Sequence, residues 1–147
     1  QPTTVAFMLE LLDPQKGDHI LDIGSGSGWT TALSAYIVGD EGSVLGLELI
    51  PELVKFGQEN LEKYNFKHAK IEKAGSTVGR TDVQQYDRIL VSAAAEELPE
   101  QFVEQLKIGG ILVIPINDSI CRIEKTEGGI VQKSYEGFIF VPLITEH

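Results

Sequence analysis

The chain has 147 residues, of which 42% are hydrophobic and 23% charged, a size and balance typical of one folded globular domain rather than a disordered chain. A formal charge of −10 at pH 7 argues against nucleic acid as a partner, because a phosphate backbone requires a clustered basic face. The single cysteine excludes an intrachain disulfide, and no apolar run approaches the roughly 20 residues of a membrane span, so we expect a soluble, cytoplasmic protein without a membrane partner.

Apolar residues alternate between helical spacing and short runs along most of the chain. Val5, Met8 and Leu12 recur at helical spacing after Pro2, and short apolar runs bounded by turn residues predict buried strands. In chain order, the first predicted elements are a short opening helix, a strand over 19–23, a helix over 29–38 and a strand over 43–49. A helix from 51, with an apolar face ending at Tyr64, and strands over 69–74 and 86–92 follow. The last are a helix from 99 that includes Leu106, a turn at 109–110 and a strand over 111–116. This order predicts an α/β fold with a largely parallel central sheet flanked by helices.

After Asn117 the pattern changes to strand alternation without helices. Strands are predicted over 120–125, 130–135 and 138–143, with a turn at 127–129 between the first two. The end of the chain is therefore predicted to be an antiparallel hairpin region. No repeat or linker interrupts the sequence, which favours a single domain over residues 1–147.

A strand, a glycine-rich loop and a helix follow one another at residues 19–38, an arrangement that places a ligand at the carboxyl edge of a parallel sheet. A dinucleotide fingerprint would need a glycine where Trp29 stands. The spacing is instead acid-x-G-x-G-x-G, the form associated with S-adenosylmethionine-dependent methyltransferases. The candidate cofactor residues of this loop are Asp22, Gly24, Ser25, Gly26, Ser27 and Gly28.

Glu48 ends the next predicted strand and is followed by Leu49. A carboxylate at that place can accept hydrogen bonds from both ribose hydroxyls of an adenosine, so Glu48 and Leu49 join the candidate cofactor site. Taken singly, the loop fits a tight structural turn and Glu48 fits a solvated strand-end acid. Their combination favours S-adenosyl-L-methionine as the cofactor.

With these residues in place, the sequence resembles the protein-L-isoaspartate (D-aspartate) O-methyltransferase family from Gln1 to about residue 145. The resemblance is carried by residues 1–6, 21–29, 86–95, 109–115 and 140–143. It implies a Rossmann-like class I methyltransferase fold. It also implies methylation of the α-carboxylate of L-isoaspartyl residues in damaged proteins, a protein repair reaction whose partners are isoaspartyl proteins or peptides.

The resemblance also suggests site residues. The family's active-site serine falls just before Gln1, and we expect the chain to lack the family's N-terminal segment, so Thr3 and Thr4 are the candidate catalytic residues. A plain helix cap is an equal alternative for Thr3. Ser76 stands where the family has an aspartate near the adenine, which makes it a candidate cofactor residue, with a plain loop over 75–77 as the alternative. Ser92, at the end of a strand, leaves room for the donor and the substrate, with small-residue packing as its alternative.

The implied reaction requires alignment and desolvation more than a base, because a carboxylate is already ionised at neutral pH and a sulfonium is already a good leaving group. It needs no metal, and His19, His68 and His147 are predicted to be non-catalytic. Two other functions stay open at this point. One is an RNA or tRNA adenosine methyltransferase, which shares the fold, and the other is a non-catalytic S-adenosylmethionine-binding domain.

Overall fold

The structure is a computed structural model that describes residues 2–75, 85–139 and 141–143. Within these residues the helices are α1 (Pro2–Leu12), α2 (Trp29–Val38), α3 (Pro51–Glu62) and α4 (Glu100–Glu104). The strands are β1 (His19–Ile23), β2 (Ser43–Glu48), β3 (Ala69–Lys73), β4 (Tyr86–Val91), β5 (Leu106–Ile116), β6 (Ser119–Thr126) and β7 (Gly129–Glu136). None of the described helices is both long and apolar enough to cross a membrane.

The strands form one sheet in the order β3-β2-β1-β4-β5-β6-β7. Strands β1 to β5 are parallel, whereas β6 and β7 are antiparallel to their neighbours. The chain steps outward from β1 to β3 and then returns to place β4 on the other side of β1. This reversal creates a switch point between β1 and β4, where open α/β sheets bind ligands at the carboxyl ends of the strands.

Side chains alternate along the strands and pack into apolar clusters on both faces of the sheet. Ile20 packs with α2 and α3, and Leu90 packs with Met8 of α1, so these three helices cover one face. Leu21 and Ile89 point to the other face, where they pack with Phe102 of α4. Both faces of the central strands β1 and β4 are thus largely buried, as is usual for a parallel sheet.

Two predicted boundaries around α3 and α4 differ from the structure. Helix α3 ends at Glu62, and Tyr64 lies in the following turn with 63% of its surface exposed instead of extending the apolar face. Leu106 lies in β5 rather than in α4. The reason is the pairing with β4, where the Tyr86 N–H donates to the Gln105 carbonyl at 2.7 Å and Tyr86 lies opposite Leu106. The predicted turn at 109–110 therefore falls inside β5, where the register with β4 shifts.

The third strand predicted at the end of the chain, 138–143, is also wrong among the described residues. Gly137, with a φ of 96°, turns the chain after β7, and Pro142 has no N–H for a sheet ladder. Instead, the Ala94 N–H donates to the Val141 carbonyl at 2.8 Å, and Pro142 forms an isolated bridge with Ala94. This segment consequently lies across the carboxyl edge beside the end of β4.

Candidate functional site

A cleft of about 210 Å³ opens at the carboxyl ends of β1, β2 and β4, at the switch point of the sheet. Its described lining is mostly apolar, and Glu48 is the charged residue among it. Four of the predicted cofactor residues line this cleft together, namely Gly24, Glu48, Leu49 and Ser92. Strand-end residues that are far apart in sequence therefore meet in one place.

The glycine loop leaves β1 through three residues in the left-handed region of backbone space. The φ angles are 77° at Gly24, 53° at Gly26 and 86° at Gly28, values that residues with a Cβ adopt only at a cost. The N–H groups of Gly24 and Ser25 both donate to the Leu47 carbonyl, at 2.8 and 3.2 Å. The loop is thereby folded onto the end of β2, with Gly24 on the cleft wall and Ser25 buried.

The far side of the loop is held by α3. A Cβ at Gly28 would lie 2.7 Å from the Gly57 carbonyl oxygen, so the two backbones approach as closely as glycine allows. Asn60 donates from its Nδ2 to the Ser27 carbonyl at 3.0 Å. Sequence reasoning missed Asn60; the glycine at position 57, in the middle of a helix, was the signal of a close contact. Gly26, Ser27 and Gly28 thus serve the loop's shape and do not line the cleft.

Asp22 is fully buried beneath the loop rather than on the cleft wall. Its Oδ2 accepts hydrogen bonds from the hydroxyls of Thr30 and Thr31, both at 2.7 Å. Burial raises the pKa of Asp22, the Thr31 and Thr30 hydroxyls lower it in part, and the charge of Glu48 raises it further. The sequence offered Asp22 as a cofactor residue, but not the two threonines that hold it.

Glu48 ends β2 on the cleft wall, half-buried, with its Oε2 accepting the N–H of Leu49 at 2.8 Å. Leu49, Ile50 and Leu53 continue the wall as an apolar surface. A carboxylate next to an apolar surface suits a nucleoside, since hydroxyls and a flat ring need opposite kinds of contact. Ile50 and Leu53 were missed by sequence reasoning, because only the folded chain shows that the start of α3 borders the cleft.

Ser92 and Ala93 follow β4 on the opposite wall. The Ser92 N–H donates to the Ile23 carbonyl at 3.0 Å, which fixes this corner against β1. A Cβ placed on Gly24 would be 3.9 Å from the Ser92 Cβ, so small residues on both sides keep this part of the cleft open. Ser76, the remaining candidate cofactor residue, lies outside the described residues.

Thr3 and Thr4 lie in the first turn of α1, at the same edge of the sheet as the cleft. The orientation follows from the far end of α1, where Arg88, near the start of β4, donates from its Nε to the Leu12 carbonyl at 2.7 Å. Neither threonine is among the described residues that line the cleft. The structure therefore brings the two threonines to the correct edge without joining them to the cofactor candidates.

The described histidines lie at the amino edge, away from the cleft. His19 Nδ1 is 2.7 Å from the Ser43 hydroxyl at the starts of β1 and β2. His68, just before β3, places Nε2 2.8 Å from the Ala35 carbonyl. Among the described residues no cluster of His, Cys, Asp and Glu side chains has a spacing that could hold a metal ion.

The strand order, the glycine loop and the acid at the end of β2 define a Rossmann-like methyltransferase fold. The family model described as protein-L-isoaspartate(D-aspartate) O-methyltransferase matches residues 1–147. The chain belongs to this family, and the predicted family and fold class are confirmed.

Individual relatives agree with this assignment. The protein-L-isoaspartate O-methyltransferase of Methanopyrus kandleri is 43% identical over 151 residues, which cover 99% of this chain and 67% of the relative. A solved protein-L-isoaspartate O-methyltransferase superimposes with a TM-score of 0.88 at 26% identity, covering 97% of this chain and 47% of that one. A Plasmodium falciparum chain, provisionally described as the same enzyme and solved with S-adenosyl-L-homocysteine, gives 0.86 at 30% identity, with 97% and 74% covered. The present chain thus spans about two thirds of the first relative and about half of the first solved structure.

Proposed function

We propose that this chain binds S-adenosyl-L-methionine in the cleft and transfers its methyl group to the α-carboxylate of L-isoaspartyl residues in damaged proteins. The observation that carries the proposal is the meeting of Gly24, Glu48 and Ser92 at the switch point of a chain that the family model matches from end to end. The free, buried Cys121 fits a cytoplasmic setting.

The cleft residues fit the methyl donor. Glu48 would accept the ribose hydroxyls, while Leu49, Ile50 and Leu53 offer an apolar surface for the adenine. Gly24 has no Cβ, which at this point of the cleft wall would lie 3.9 Å from the Ser92 Cβ and take up part of the space that the donor would occupy. When bound, the donor supplies a sulfonium methyl group whose leaving group is neutral.

The acceptor needs no base, because its α-carboxylate is ionised at neutral pH. What the protein supplies is an apolar setting that excludes water and a geometry that aligns the carboxylate with the methyl group. The first turn of α1 lies at the same edge and carries the hydroxyls of Thr3 and Thr4, and a helix N-terminus favours an anion. Thr3 and Thr4 are therefore assigned to the acceptor carboxylate.

The test is methyl transfer from labelled donor to two peptides that differ only in one isoaspartyl or aspartyl linkage. The proposal expects label in the isoaspartyl peptide alone, with Glu48→Gln as the matched variant that weakens donor binding. Equal labelling of the two peptides would overturn the acceptor assignment. Donor binding without transfer to either peptide would reduce the chain to a cofactor-binding domain, and transfer to tRNA would indicate the RNA enzyme instead.

A further inference from the structure

The buried carboxylate of Asp22 sits between the end of β1 and the start of α2. Its Oδ2 accepts from the Thr30 and Thr31 hydroxyls at 2.7 Å each. Its Oδ1 is buried and has no hydrogen-bond partner among the described residues. Among the described residues, the Asp22 carboxylate therefore forms hydrogen bonds only with the first turn of α2.

These two bonds span the glycine loop. Asp22 precedes the loop, and the threonines follow it, so the bonds join its two ends. Gly28, the N-cap residue of α2, provides no side-chain hydrogen bond to the helix. Asp22 bonds the threonine hydroxyls of this first turn and not its backbone N–H groups, and a negative charge there suits the positive end of the helix dipole.

Strand β2 is shaped to receive Thr31. Gly46 lies in the middle of β2, where a glycine ordinarily weakens a strand. A Cβ there would be 2.8 Å from the Thr31 Oγ1 and 3.2 Å from the Ser25 Cβ. The glycine therefore makes room for the hydroxyl that bonds Asp22 and for the buried serine of the loop.

We propose that Thr30 and Thr31 are positioning residues, whose hydroxyls hold Asp22 and thereby fix the loop over residues 24–28 in the shape that receives the methyl donor. The inference rests on the proposed function for the identity of the ligand. It assigns the threonines no contact with the donor, because neither lines the cleft.

The electrostatic setting of Asp22 supports this assignment. Burial raises the pKa of the carboxyl, and the two hydroxyls oppose that rise. Helix α2 carries no acidic or basic side chain, and Glu48 of β2 raises the pKa further. On β4 the residue paired with Asp22 is Leu90, while Arg88 on the same face is turned to the Leu12 and Asp13 carbonyls. Among the side chains around Asp22, the two hydroxyls thus favour its charged form.

The experiment measures S-adenosyl-L-homocysteine binding by calorimetry between pH 5 and 8, together with KM and kcat for methyl transfer. Thr31→Val and Thr30→Val keep the side-chain shape and remove the hydroxyls that bond Asp22. Each is expected to weaken binding several-fold and at most about tenfold, which is about the full worth of one hydrogen bond to a charged group. The KM for the donor should rise with kcat nearly unchanged, and the acid limb of binding should move to higher pH. Thr31→Ser and Thr30→Ser, which keep the hydroxyl, should bind within about twofold of the native chain.

Controls separate positioning from general damage. Ser34→Ala removes a buried hydroxyl of the same helix that has no described partner, and it should leave binding and the pH profile unchanged. In an Asp22→Asn background, Thr31→Val should add little, since the two changes act on one interaction. Should Thr31→Val fail to fold, Thr30→Val, whose side chain is only half-buried, decides the question with its serine counterpart.

The outcomes for the two proposals are distinct. Valine variants that fold, bind the ligand as tightly as the native chain and keep its pH profile would overturn the positioning role. A native chain that binds no S-adenosyl-L-homocysteine would instead overturn the proposed function.

Discussion

Replacing Gly28 with alanine should damage the contact between the glycine loop and α3. The added Cβ would lie 2.7 Å from the Gly57 carbonyl oxygen and 3.1 Å from the Ile71 Cδ1, at a φ of 86°. The left-handed conformation costs a non-glycine residue about 1–2 kcal/mol, and overpacking adds about 1–3 kcal/mol. A total of roughly 2–5 kcal/mol corresponds to a Tm lower by roughly 6–15 °C for a domain of this size.

Two glycines of the same loop are the matched controls. Gly26→Ala and Gly24→Ala share the left-handed φ, but the nearest atoms to their added Cβ atoms are 3.9 Å away, so each should cost only about 1–2 kcal/mol. Thermal unfolding compares the three variants, and calorimetry should show a specific loss of S-adenosyl-L-homocysteine binding for Gly24→Ala, which alone changes the cleft wall. Equal Tm values for all three would refute the packing argument.

Three further results are expected. Glu48→Gln should weaken S-adenosyl-L-homocysteine binding at least about tenfold in calorimetry, because hydrogen bonds to a charged acceptor are lost. The Tm should stay nearly unchanged. An unaltered Kd would contradict the assignment of Glu48 to the ribose. Burial raises the pKa of Asp22 above its ordinary value of 3.8, so the folded chain binds the carboxyl proton more tightly than the unfolded chain does. The stability that this proton contributes is complete below pH 3.8 and is lost as pH rises through the raised pKa. Urea titrations at several pH values should therefore show that Asp22→Asn becomes more stable relative to the native chain as pH rises. A relative stability that changes in the opposite direction would contradict this prediction. His68→Gln, at the amino edge, should leave kcat and KM as they are, and a large loss of kcat in this variant would point to a catalytic histidine.

Local signals determined the elements that the sequence predicted best. β1 and α2 have the predicted bounds because turn residues and glycines stand at both ends, and Gly39 follows the last residue of α2. The wrong elements depend on distant partners. Leu106 joins the sheet through the pairing of β5 with Tyr86, and residues 141–143 bond to Ala94 rather than to the neighbouring hairpin.

The candidate site divides in the same way. Gly24, Glu48 and Ser92 were predictable, because each stands at the carboxyl end of a strand and parallel strands bring these ends together. The residues that hold the loop in place were not predictable. The hydrogen bonds from Thr31 to Asp22 and from Asn60 to Ser27 form only once the helices are packed against the loop.

Glycines inside regular elements were the unused signal of those supports. Gly46 in β2 and Gly57 in α3 both stand where glycine is locally unfavourable, and both make room for the loop or for Thr31. A glycine in the middle of a predicted strand or helix is therefore a reason to look for a close contact at that position.

The most direct test of the central claim is methyl transfer from labelled S-adenosyl-L-methionine to an isoaspartyl peptide, with the label then released in alkali. Transfer to an α-carboxylate makes a methyl ester, so the label should enter the isoaspartyl peptide, be absent from its aspartyl twin and leave as methanol on mild alkaline treatment. Alkali-stable label, or equal label in both peptides, would contradict the assignment of this cleft to isoaspartyl carboxyl methylation.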